Sequence, residues 1–265
     1  MNTRSTMSDH PARISRGSPR MSALIAVAVI LGIGAAIWLG EIRQRGGLQV
    51  TQETISQPLA TATRADVAIA MGIGTLQLDA RERFSHLIHG TVAHRASEQV
   101  AHDFRMSSQI AYFSLRAHDK DTSFVPFRLP SKQEVRWDLH LNPDIPMALK
   151  VDTGAGAAQL NLADLRATNV EVNTGIGTTI LTLPKVGQPR AAIDGGLGTT
   201  TILIPAGMAA RIDVAAGLGA TSVHGDYERH GNVYVSPDYE TATNRVEMEV
   251  TGGIGNITIR HAGNE

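Results

Sequence analysis

The residues that could do chemistry in this 265-residue chain fall into three groups. The first is a recurring glycine pair: Gly72-Ile73-Gly74, Gly154-Ala155-Gly156, Gly175-Ile176-Gly177, Gly196-Leu197-Gly198, Gly217-Leu218-Gly219 and Gly253-Ile254-Gly255. Such a step can cradle a phosphate. A dinucleotide fingerprint, however, needs a third glycine and a following helix, and a P-loop needs Lys-Ser/Thr. Neither follows any copy, so no nucleotide cofactor is expected. The second group is Asp152, Asn173 and Asp194, each two residues before the first glycine of its pair. Stacked, their oxygens could ligate Ca²⁺; the alternative is that they bond backbone N–H groups of the turn. Ala70, Ala215 and Thr251 hold that place in the other copies, which favours the turn role and no metal. The third group is His86, His89, His94 and His102. On a helix the first two would share a face and could hold Zn²⁺. The local pattern is strand and loop, so surface histidines are expected.

Catalytic equipment is missing from the pattern. There is no cysteine, no Gly-x-Ser-x-Gly, no His-Glu-x-x-His and no paired carboxylates in apolar surroundings. Threonines such as Thr178, Thr179, Thr182, Thr199, Thr200 and Thr201 are read as outward ladders, which stabilise strands but are poor acids and bases. The chain is expected not to be an enzyme and to have no catalytic residues. With 24 basic against 25 acidic residues it carries no field that would draw nucleic acid.

The elements that position these residues follow from spacing. Four successive first glycines, Gly154 to Gly217, are 21 residues apart, and Gly253 comes 36 residues later. Apolar residues sit five and three places before each pair: Val67/Ile69, Leu149/Val151, Val170/Val172, Ala191/Ile193, Ile212/Val214 and Met248/Val250. Six places after the first glycine come Leu78, Leu160, Leu181, Ile202, Val223 and Ile259. That is a period-two signal, so each unit reads as strand, glycine turn, strand. All twelve glycines are therefore assigned as structural turn glycines. A unit this short cannot bury its apolar face alone, and stacked units can. The expected fold is all-β: a β-solenoid-like stack of strand-turn-strand repeats with successive coils piled in chain order. No aromatic residue occurs between Trp137 and Tyr227, as a thin aliphatic core requires.

The organisation expected is a basic cytoplasmic segment at 1–20, a transmembrane helix at 21–40, a linker at 41–64 and a β domain at 65–265. Residues 21–40 are uncharged, and 20 helical residues span about 30 Å, the thickness of a bilayer core. Four arginines before the segment and two after it orient the N-terminus inward. This places the chain in the cell membrane as a single-pass protein with its C-terminal domain extracytoplasmic. A cleaved leader is the rival reading of the same segment. Within the β domain, 65–146 holds most of the aromatics and reads as a cap sheet of antiparallel strands. Residues 147–260 form the repeat stack. An insertion at 224–243 carries Tyr227, Tyr234 and Tyr239 as a possible interaction loop.

Four features together resemble the toast-rack domain of LiaF-like cell-envelope stress proteins and related adhesin-like proteins. They are Ala65-Asp66-Val67 before the first Gly-x-Gly, the run Trp137 to Pro146, the successive glycine rungs, and the loop at 234–239. The resemblance covers nearly all of 51–260. It implies a β-solenoid-like fold tied to membranes, with a role in sensing, scaffolding or regulating envelope stress through a membrane signalling partner. LiaF-type proteins have several transmembrane helices where this chain has one apolar run. The alternative is an adhesin-like or carbohydrate-binding module, and a β-helical carbohydrate enzyme ranks last.

Overall fold

The computed structural model describes residues 50–81, 85–119, 135–215 and 217–263. Among these residues sixteen strands follow one another: β1 Val50–Pro58, β2 Arg64–Asp79, β3 His86–Arg95, β4 Glu98–Ser107, β5 Ile110–Asp119, β6 Arg136–Leu141, β7 Met147–Asn161 and β8 Ala167–Thr182. Then come β9 Arg190–Asp194, β10 Leu197–Ile204, β11 Ala209–Ala215, β12 Leu218–His224, β13 Glu228–His230, β14 Val233–Val235, β15 Arg245–Thr251 and β16 Ile254–His261.

Alternating apolar residues drive the strands, and the glycine pairs decide their path. β2, β7 and β8 each run unbroken through a Gly-x-Gly step. In the other three rungs the step separates β9 from β10, β11 from β12, and β15 from β16. Each rung thus has a first limb before the glycines and a second limb after them. Rungs pair in parallel, residue on equivalent residue. On the first limb Val67, Leu149, Val170, Ala191, Met248 and Ile212 form one row, and Ile69, Val151, Val172, Ile193, Val250 and Val214 the next. On the second limb Leu78, Leu160, Leu181, Ile202, Ile259 and Val223 form a matching row. The rows of both limbs meet in a single hydrophobic core. Each fully buried leucine in it contributes about 2 kcal/mol.

The rungs do not pile up in chain order. The last rung in sequence, β15–β16, lies between β9–β10 and β11–β12. Gly253 sits against Gly195 and Gly196, and Gly217 in turn sits against Gly252 and Gly253. The longer spacing before Gly253 is the chain needed to return past the outermost rung and enter the stack behind it. The early pair Gly72–Gly74 is no outlier: β2 is the first rung, in register with β7 over its whole length.

Both ends of the first limb are closed by antiparallel hairpins, β4–β5 against β2 and β13–β14 against β11. The second limb is continued before β2 by β6, β3 and β1. Trp137, opposite Leu76, is fully buried there. The cap strands are of mixed direction rather than purely antiparallel: β5 and β6 each run parallel to β2. Residues 50–58, read from the sequence as tether, are the edge strand β1.

Other expectations are corrected here. There is no helix among the described residues, so none long and apolar enough to cross a membrane. The segment 21–40 assigned as a transmembrane helix lies outside the described residues, as does the basic segment 1–20. Among the described residues the fold is strand-only, and none of them forms the transmembrane helix expected before the β domain. The single membrane anchor as a partner, and the single-pass placement with an extracytoplasmic domain, rested on that helix and are withdrawn with it. Thr179 and Thr200 are buried and face inward, in a row with Leu76, Ala158 and Ile257. Three consecutive strand residues cannot share a face, so Thr199, Thr200 and Thr201 could not all have pointed out. His94 is also buried, and its ring bonds the Glu53 carboxylate at 2.9 Å.

Candidate functional site

The twelve glycines Gly72, Gly74, Gly154, Gly156, Gly175, Gly177, Gly196, Gly198, Gly217, Gly219, Gly253 and Gly255 line the bend between the limbs. In five of the six rungs the second glycine of the pair packs on the backbone of its neighbouring rung, and Gly74 packs on Val135. The space left beside the last glycines is about 10 Å³, less than a ligand requires. The residue between the glycines points away from the core. Ile73, Ile176, Leu197, Ile254 and Leu218 make an exposed apolar ridge, with Ala155 as its one small member.

Among the would-be ligand residues, Asn173 Nδ2 donates to Asp152 Oδ1 at 2.6 Å and to Glu171 Oε1 at 3.2 Å. Asp194 is engaged through its backbone carbonyl, which accepts from Thr174 Oγ1. Asp152 and Asn173 thus bond side chain to side chain, while Asp194 takes part through its backbone. Among the described residues no three metal-capable side chains converge. His86 and His89 have ring centroids 5.7 Å apart at the start of β3, and no group of three metal-capable side chains forms there among the described residues.

The three tyrosines of the insertion do not form one platform. Tyr227 lies flat on His261, ring planes 10° apart, and its hydroxyl pairs with His261 Nε2 at 3.1 Å. Burial pushes its hydroxyl pKa up to about 12. Tyr234 pairs with Ile212 in β11 and lies under Arg229, whereas Tyr239 lies under Arg245. Tyr227 and Tyr234 also pack against the core. These rings close the far end of the stack.

A groove that sequence reasoning missed lies at the other end, on the outer face of the first limb. Its volume is about 410 Å³, within the range of ligand pockets. It crosses β5, β2, β7 and β8, three strand spacings or about 14 Å. Register builds it. Tyr112, Asp66, Ala148 and Asn169 form one outward row, and Ser114, Ala68 and Lys150 the next. Ala68 and Ala148 leave a low floor between taller neighbours. Arg105, directly across from Tyr112 on β4, stacks over its ring at 4.1 Å and holds it upright as a wall. Asp66 lies on the opposite side of that ring in the row. Its Oδ1 is buried and accepts no hydrogen bond, with Arg64 Nε 3.8 Å away. Lys150 Nζ donates to Glu171 at 2.5 Å, which raises the lysine pKa and lowers that of the carboxyl. Only pairing across strands could have revealed the groove, because its residues are spread from 66 to 169.

This architecture defines a class: a rigid, parallel β-stack with side-chain sites on its outer faces. The chain belongs to the toast-rack family. Residues 45–203 match the family described as the N-terminal domain of toast_rack, DUF2154. No curated protein matches it. Among solved structures, a candidate cell adhesion protein from Clostridium sporogenes is 19% identical with a TM-score of 0.69. The match covers 81% of this chain and all of that one, which shows a shared fold. Candidate adhesins from Bacteroides fragilis (10% identity, TM-score 0.22) and Parabacteroides distasonis (10%, 0.25) each match 80% of this chain and 97% of theirs. Superpositions that loose carry no argument. The reading as a membrane-anchored stress sensor or regulator with a membrane signalling partner is corrected, because it rested on the anchor, and no helix among the described residues is long and apolar enough to cross a membrane.

Proposed function

We propose that this chain is an adhesin-like binding module that holds carbohydrate in the groove over β5, β2, β7 and β8. The observation that carries the reading is the groove itself, where polar side chains without partners surround a small apolar floor. Among the described residues Asp103, Ser114, Arg116 and Asn169, which line it, make no side-chain hydrogen bond or ion pair. Sugar recognition combines such groups with an aromatic wall, here Tyr112: hydroxyls bond the polar side chains and the ring's C–H face lies on the apolar surface. The scaffold suits the task, because sites carried on strands are held more exactly than sites on loops. The likeness to a candidate cell adhesion protein supports a binding role.

A glycan array probed with the full chain tests this. Retention of at least one glycan class is expected, and replacing Tyr112 with Ala should abolish it. An array that stays blank, or binding indifferent to Tyr112, would refute the reading.

A further inference from the structure

We infer that the groove selects saccharides bearing a carboxylate, a hexuronate class of ligand, with Arg116 as the residue that reads the charge. This rests on the carbohydrate-binding reading above and names its ligand.

The inference comes from how charge is spent along the outer face of the first limb. Further along that face, Lys150 is paired with Glu171 at 2.5 Å and Arg190 with Glu247 at 3.3 Å. Those cations are satisfied by the next strand. Arg116 is not. Its neighbours in register are Ala101 on β4 and Ala70 on β2, neither of which can accept its donors. Among the described residues it makes no ion pair or hydrogen bond, and it is exposed. A guanidinium presents a planar fork of N–H donors matched to a carboxylate. Two small alanines beside it leave room for that carboxylate to lie in plane.

The rest of the lining specifies a sugar rather than an acidic peptide. Asp103 and Ser114 face each other across β4 and β5, and Asn169 stands on the far wall. Two carboxylates, Asp66 and Asp103, sit in the same groove and would repel a peptide rich in acids. They accept from hydroxyls instead, and a hexuronate supplies several hydroxyls for each carboxylate. An extended peptide would also seek the free backbone edge of a strand, whereas β2, β7 and β8 are paired on both sides.

The test is titration calorimetry of the full chain with tetragalacturonate, with its methyl ester and with polyglutamate. Esterification removes the charge and keeps the rings and hydroxyls. The acid is expected to bind at least 10-fold more tightly than the ester, and polyglutamate not at all. Arg116→Gln should erase the difference between acid and ester. Glu249→Gln, exposed on the same face but outside the groove, should leave it intact. Equal binding of acid and ester, an Arg116→Gln variant that still prefers the acid, or binding of polyglutamate would each overturn the inference. Binding to neutral glycans alone would overturn acid selection and keep the carbohydrate module; binding to no glycan of any kind would overturn both.

Discussion

The α-carbon of Gly177 rests against the backbone carbonyl of Gly156, one rung below, so closely that a Cβ at Gly177 would overlap the carbonyl oxygen. Its φ of 141° is also one that side chains rarely adopt. The contact is backbone on backbone in a continuous parallel ladder, so neither partner can move without breaking the rung. Gly177→Ala is expected to cost on the order of 3 kcal/mol or more. Gly207 also has positive φ, at 77°, but a Cβ there meets open space. Gly207→Ala should cost about 1 kcal/mol, the backbone penalty alone. Urea unfolding of the two variants checks this; equal losses would show that the stacking contact is unimportant.

The position of β15–β16 inside the stack makes a second prediction. In a solenoid piled in chain order, removing the last rung exposes one new end. Here, a chain ending at residue 243 would lose the rung that holds β11–β12 against β9–β10. Hydrogen exchange should then show β11 to β14 unprotected, with β9–β10 left as the new end of the stack on β8, while β2, β7 and β8 keep their slow amides. Protection of β11 and β12 in the shortened chain would contradict the rung order.

Why the repeat was legible while the order of its rungs was not has a physical basis. Val67, Leu149 and Val170 declare an inward face because apolar alternation is a property of each strand by itself. Which rung pairs with which depends on long-range docking, and all six rungs offer nearly the same surface. The 36-residue gap before Gly253 signals an insertion without saying where the chain returns. The groove was hidden for the same reason: Tyr112, Asp66 and Asn169 are neighbours only through β5–β2–β7–β8 pairing. Inward Thr179 and Thr200 were legible by parity, since residues four and six places after the first glycine share a face, but their polarity argued the other way.

Those inward threonines yield a third prediction. Thr200 is 5% exposed and lies between Thr179 and Ile257 in the second-limb row. Among the described residues its hydroxyl makes no hydrogen bond. The hydroxyl is not fully buried, so it is only partly desolvated, and valine has the same branched shape. Thr200→Val should raise stability by a few tenths of a kcal/mol, up to about 1 kcal/mol. Thr199→Val, at an exposed site, should change little. A higher urea midpoint for the first variant alone is the expected result, and a drop would mean that the hydroxyl has found a partner, such as a buried water.

The stacked pair Tyr227 and His261 ties the turn after β12 to the end of β16, and it should give the fold an alkaline limit. Burial holds the Tyr227 hydroxyl pKa at about 12, against 10.0 for a free tyrosine. The folded state therefore keeps this proton more tightly than the unfolded chain does. The sign follows: the contribution is fully present below pH 10, and it is lost as pH rises towards 12. Tyr227→Phe removes the titrating group and keeps the ring stacked, at the loss of the 3.1 Å hydroxyl contact. The variant should melt lower than the parent at pH 8, by the loss of a hydrogen bond worth about 1 kcal/mol. Its melting temperature should then fall less steeply than the parent's between pH 10 and 12. Tyr239, whose pKa burial also raises, remains in both proteins, so the difference isolates Tyr227. Melting curves that stay parallel through that window would show that the hydroxyl is open to solvent, and the turn after β12 would then not be the clasp that holds the outermost rung to its neighbour.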